Sequence, residues 1–77
     1  MTHELKILEC YATAKVNGEK LFEIRDNSEH GFQKGDYVKY KVLCDYKHTL
    51  EKKLYQITYV TNYEQKEGYV VFGEKEV

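Results

Sequence analysis

The sequence predicts a small α+β domain that is mostly β, a barrel of about five strands with one short helix after the first strand. Three observations carry this expectation. Apolar and polar residues alternate in five separate segments, helical spacing intrudes only between Glu9 and Asn17, and a chain of 77 residues has room for a single core spanning residues 1–77. Closing such a sheet on itself removes the exposed edges that short sheets must otherwise protect.

The first strand is expected over His3 to Leu8, where His3, Leu5 and Ile7 fall on one side and Glu4, Lys6 and Leu8 on the other. From Glu9 the period changes. Tyr11 and Ala14 take helical spacing, Ala12 and Ala14 favour helix, and Asn17-Gly18 supplies a left-handed stop. Lys20 to Arg25 alternates again, with Phe22 and Ile24 assigned to the core face, before Asp26-Asn27-Ser28 breaks the pattern. Gly35-Asp36 is a turn ahead of a third strand, Tyr37 to Cys44, in which Val38, Tyr40, Val42 and Cys44 share a face. A polar link, Asp45 to Thr49, leads to a fourth strand over Lys52 to Thr61 with Tyr55, Ile57 and Tyr59 as its same-face set, and the two strands suit a hairpin. The fifth strand is expected over Gly68 to Gly73. Apolar residues on both its faces suggest a central or barrel-closing position, and Glu74 to Val77 reads as a frayed polar tail.

Composition narrows the function classes. Twelve Lys and Arg against thirteen Asp and Glu give a net charge of −1, so no global attraction to a polyanion exists and any nucleic-acid contact must be local. Cys10 and Cys44 are expected to be reduced thiols, since there is no C-x-x-C pair and no secretory leader, and Cys10 is assigned to packing on the helix. His3, His30 and His48 lie too far apart for a zinc cluster, so no metal and no cofactor is expected. His3 is expected half-exposed, and His30 and His48 in loops. No apolar run approaches the roughly 20 residues that span a bilayer, so a soluble, cytoplasmic protein is expected.

Gly18-Glu19-Lys20-Leu21-Phe22-Glu23-Ile24-Arg25 follows the pattern G-x-K-x-x-E-x-R. It resembles the signature of ASCH domains, relatives of the PUA RNA-binding fold. His3-Glu4-Leu5-Lys6-Ile7, Phe32-Gln33-Lys34-Gly35-Asp36 and Gly68-Tyr69-Val70-Val71-Phe72-Gly73 resemble the opening, the turn and the closing strand of a small stand-alone, phage-associated subgroup of that family. The likeness covers nearly the whole chain. It departs at Glu9, where the subgroup usually has a proline after the first strand.

The resemblance implies a barrel with a helix flanking a cleft whose wall holds Lys20, Glu23 and Arg25. Two residues apart on a strand, Glu23 and Arg25 project to the same side at a spacing of ~6–7 Å. Arg25 can grip a phosphate or carbonyl in a fork, Lys20 adds a compact charge, and Glu23 accepts from a base amine or holds the cations in place. Lys6 is a candidate third cation, with Tyr11 and Tyr69 as candidates for stacking on a base.

Three functions are expected from this, in order. The first is a module that binds RNA, a nucleotide or a nucleoside, the ligand being short or single-stranded. The second is an amidohydrolase similar to ASCH enzymes that deacetylate N4-acetylcytidine, with Lys20 and Glu23 as its catalytic pair. Glu23 stands where those enzymes have a threonine, and a carboxylate there could act only as a base for water, which ranks catalysis below binding. The third is a phage or mobile-element module that binds a protein partner.

Overall fold

A computed structural model describes residues 1–77. Its elements are β1 (Thr2–Leu8), α1 (Glu9–Val16), β2 (Phe22–Asp26), β3 (Tyr37–Leu43), a 3-10 turn (Thr49–Lys52), β4 (Tyr55–Thr61) and β5 (Tyr69–Glu76). The strands form one sheet in the order β1-β3-β4-β5-β2, with β1 parallel to β3 and the other neighbours antiparallel. The sheet curls into a half-barrel. It stops short of closure, because β1 and β2 remain unpaired with each other as its two edges.

The alternations in β1 and β3 place the residues that the sequence leads one to expect. Leu5, Ile7, Val38, Tyr40 and Val42 all face a core that Phe72 and Ile57 complete from β5 and β4. The helix does begin at Glu9, whose carboxylate in the first turn suits the positive end of the helix and accepts from Tyr46 Oη. It ends in a Schellman motif, in which Gly18 at φ 77° donates to the Lys15 carbonyl while Glu19 donates to that of Ala14. A side chain at Gly18 would be strained there, and the turn it makes delivers the chain to Lys20 and β2.

Five expectations need correction. Phe22 and Ile24 are 45% and 54% exposed, and Glu23 points inward instead. Alternation gives the period of a strand without saying which face is inside, and ion pairing lets the carboxylate take the inner slot. Tyr59 leaves the face of Tyr55 and Ile57, because an irregularity in the β4–β5 register between Ile57 and Tyr59 turns it outward to 66% exposure. Glu74 to Val77 is no frayed tail: β5 continues to Glu76, and Glu74 is buried. Cys10 is exposed on the helix and does not pack.

His3 is the fifth, buried where partial exposure was expected. Its Nε2 lies 2.8 Å from Asp36 Oδ2, which also accepts the Gln33 amide at 3.2 Å, while the chain's amino terminus lies 3.5 Å from Oδ1. The His3 bond, with the Gln33 amide behind it, holds the Asp36 carboxyl below its ordinary value of 3.8 despite some desolvation. A carboxyl depressed in the folded state adds stability above its unfolded pKa and loses it as pH falls through the folded one. Asp36→Asn should therefore melt below wild type at neutral pH, with the gap closing in acid below the usual Asp range. Thermal melts across that range check this, and a gap independent of pH would contradict it.

Candidate functional site

The gap between the sheet edges is a cleft of about 490 Å³. One lip is β1, with Lys6 and Leu8 facing out and Ile7 facing in; the other is β2, with Phe22 and Ile24 facing out and Glu23 facing in. Tyr11 of α1 lines it too, as do Lys20 and Arg25. This volume lies within the ~300–1,000 Å³ of ordinary small-ligand sites, and the mixture of apolar walls with a few convergent charges is also theirs.

Glu23 organises the floor. Its Oε2 lies 2.9 Å from Lys15 Nζ and 2.7 Å from Lys20 Nζ, while its Oε1 accepts from Arg25 Nε at 3.0 Å and lies 2.9 Å from Arg25 Nη2. Both oxygens are thus committed to cations. Arg25 Nη2 also donates to the Lys6 carbonyl at 3.0 Å, so one guanidinium spans the cleft from β2 to β1. Lys20 Nζ donates to the Phe22 carbonyl at 2.9 Å and sits 5.5 Å from the centre of the Tyr11 ring and 5.0 Å from that of Phe22. Two cations are therefore held in place, and one of them, Lys20, sits over two exposed aromatic rings.

Beneath this layer is a second one that sequence reasoning passed over. Lys15 is only 1% exposed, and its ammonium bridges Glu23 to Glu74, whose other oxygen accepts from Tyr40 Oη at 2.6 Å. Signals for it existed. Lys15 falls three residues after the buried Ala12, on the inner face of the helix, and Glu74 continues the alternation of Val70 and Phe72 into an inward slot.

The two carboxylates are pushed in opposite directions. Burial works to raise Glu23, but its bond from Lys20 and the charge of Lys15 outweigh burial and leave it below the ordinary 4.5, an anion at neutral pH. For Glu74 burial prevails over Lys15 and Tyr40, and the carboxyl is raised. The Tyr40 phenol is driven up by burial and by Glu74, so it remains a proton donor.

The structure thus brings together Lys6, Tyr11, Lys20, Glu23 and Arg25, five of the six residues singled out in the sequence. Tyr69 is not among them. It lies at the start of β5, opposite Asp26 and beneath Lys66, in a polar hollow between loops. His48 caps the 3-10 turn through Nδ1 and bonds Thr13, which gives it a structural place. No group of His, Cys, Asp and Glu side chains is arranged to hold a metal ion, and no helix is long and apolar enough to cross a membrane.

No curated protein matches the chain. One family model does, over residues 2–73, a span that takes in every residue lining the cleft and stops just before Glu74. The chain belongs to that family, described as Domain of unknown function (DUF3850).

Proposed function

We propose that the domain is an ASCH-type, PUA-like binding module that holds a nucleotide, free or at the end of a short single-stranded RNA, in the cleft between β1 and β2. The observation that carries this reading is the convergence of Lys20 and Arg25 on one buried carboxylate, with Lys20 set over the rings of Tyr11 and Phe22. Cations fixed in advance lose little freedom when they take up a phosphate, and aromatic faces stack on any base. The near-neutral chain supports a small ligand over a long duplex, whose binding draws on many phosphate contacts.

Catalysis is the less supported reading. A general base must have a lone pair free for the proton it takes, and both Glu23 oxygens are occupied by Lys15, Lys20 and Arg25. The same occupancy makes Glu23 an anchor for cations in preference to an acceptor from a base amine.

Titration of the ¹⁵N-labelled domain with nucleoside 5′-monophosphates and short RNAs tests the proposal. Shifts are expected at Tyr11, Lys20 and Arg25, and Lys20→Ala with Arg25→Ala should weaken binding by about 100-fold or more, the size expected from losing two charge-assisted contacts. Because those residues also neutralise Glu23, a second variant, Lys6→Ala, removes an exposed cation outside the Glu23 network and should weaken binding several-fold with folding intact. Absence of shifts at the cleft with every ligand would end the proposal.

A further inference from the structure

The hydrogen bonds flanking β2 fix the direction of its main-chain groups. The Leu21 carbonyl accepts from Glu74 N–H at 3.2 Å, and Asn27 N–H donates to the Gly68 carbonyl at 2.7 Å, so both residues face β5. Main-chain direction alternates along a strand, and the register pairs Glu23 with Phe72 and Arg25 with Val70 between those two bonds. The N–H and C=O groups of Phe22 and Ile24 therefore point away from β5, into the cleft. The Phe22 carbonyl is taken by Lys20 Nζ, whereas Ile24 N–H, Ile24 C=O and Phe22 N–H have no partner in the protein.

The facing edge obeys the same logic. Tyr37 N–H donates to the Met1 carbonyl, which sets Met1, His3, Leu5 and Ile7 towards β3 and Lys6 towards the cleft. The bond from Arg25 Nη2 to the Lys6 carbonyl agrees, and it leaves Lys6 N–H free beside it. Isolated proteins usually blunt such edges with prolines, bulges or a covering segment. Here two bare edges look at each other across a gap too wide for the ~4.8 Å of strand pairing, spanned only by an arginine side chain.

We propose, building on the nucleotide reading above, that these bare main-chain edges read the base: Ile24 N–H and C=O pair with an adjacent acceptor and donor on one edge of a nucleobase lying in the seam. The two groups of one extended residue present a donor beside an acceptor, and nucleobases carry the complementary pair on an edge. Lys20 and Arg25 take the phosphate, and Leu8, Phe22 and Ile24 cover the ring. The occupant is a nucleotide in preference to an added peptide strand, because the cleft joins the free edges to Lys6, Lys20 and Arg25, which complement a phosphate.

Proline separates this idea from the nucleotide reading. Pro removes the N–H and fixes φ near −65°, and it is tolerated on an edge strand where that N–H is unbonded. Ile24→Pro should keep the fold and bind the tightest of the four nucleoside 5′-monophosphates about tenfold more weakly than Ile24→Val, the loss expected for one desolvated hydrogen bond. In wild type that nucleotide should shift the Ile24 amide, and ribose 5-phosphate, which has no base, should shift Lys20 and Arg25 alone. If nucleotides shift Tyr11, Lys20 and Arg25 while the Ile24 amide stays still and Ile24→Pro binds like Ile24→Val, edge recognition is wrong and the nucleotide cleft stands. Equal shifts of the Ile24 amide by ribose 5-phosphate overturn base reading as well. If no nucleotide shifts any of these residues, both proposals fall together.

Discussion

Lys15→Met is expected to cost the domain about 3–5 kcal/mol, the loss typical when one partner of a buried ion pair is removed. Methionine fills a similar volume, so the effect isolates the charge. The Lys15 ammonium is wholly buried against Glu23 and Glu74, and no other cation reaches Glu74. Without it Glu74 is a desolvated carboxylate left with one bond from Tyr40. A domain of this size has a total stability of about 4–12 kcal/mol, so the variant stands near the edge of folding. Urea unfolding gives the midpoint shift, and each kcal/mol lost should lower the melting temperature by about 4–8 °C.

The variant's pH response follows from the same network. Burial already raises Glu74 above its ordinary 4.5, and removal of the nearest cation raises it further. A carboxyl whose folded pKa is raised binds more protons when folded, so stability falls as pH rises from the unfolded value through the folded one. Lys15→Met should therefore recover part of its loss as pH falls towards 4.5, and a second change, Glu74→Gln, should recover part of it at neutral pH. A Lys15→Met midpoint within about 1 kcal/mol of wild type would refute the central place given to this ammonium.

Why was Lys15 not legible when Lys20 was? Lys20 belongs to a motif, and its neighbours Glu23 and Arg25 lie in one stretch of chain. The partners of Lys15 lie at Glu23 and Glu74, on β2 and β5, and only the sheet order brings those strands side by side. Five strands and a helix were legible because each is a local periodicity; the start of α1 at Glu9 was not, because the family likeness breaks at that residue and a change of period marks a boundary without fixing its first residue. The facing of β2 was not. Its apolar residues, Phe22 and Ile24, imitate a core stripe, while the inward Glu23 imitates a solvated charge. At this lip of the cleft the usual rule is inverted: apolar side chains are left in the open and charge is drawn inside. Tyr69 failed as a cleft residue for a related reason: its strand was placed correctly, but the cleft lies along the free edge of β2, one strand beyond.

Removal of Glu74 to Val77 is expected to abolish cooperative folding, although these four residues look like a dispensable polar end. Glu74 N–H donates to the Leu21 carbonyl and so fastens the entrance of β2 to β5, while Glu74, Lys75 and Glu76 pair with Ile57, Gln56 and Tyr55 of β4. Truncation after Gly73 removes those pairings, strips Tyr40 of its acceptor and takes one of the two carboxylates from Lys15. Buried groups left without partners cost ~1–3 kcal/mol each, and more when charged, which together approaches the whole stability of the domain. Glu74→Gln in the full chain keeps the ladder and an acceptor for Tyr40, and should lose only ~1–3 kcal/mol. The Lys53–Glu76 pair lies at the surface and adds at most ~1 kcal/mol, so Glu76→Ala should leave the midpoint almost unmoved. Amide spectra and melts of the three proteins separate these effects. A truncated chain with dispersed resonances and a melt within a few degrees of the full chain would show that the half-barrel holds without its last strand turn, and that Lys15 is content with Glu23 alone.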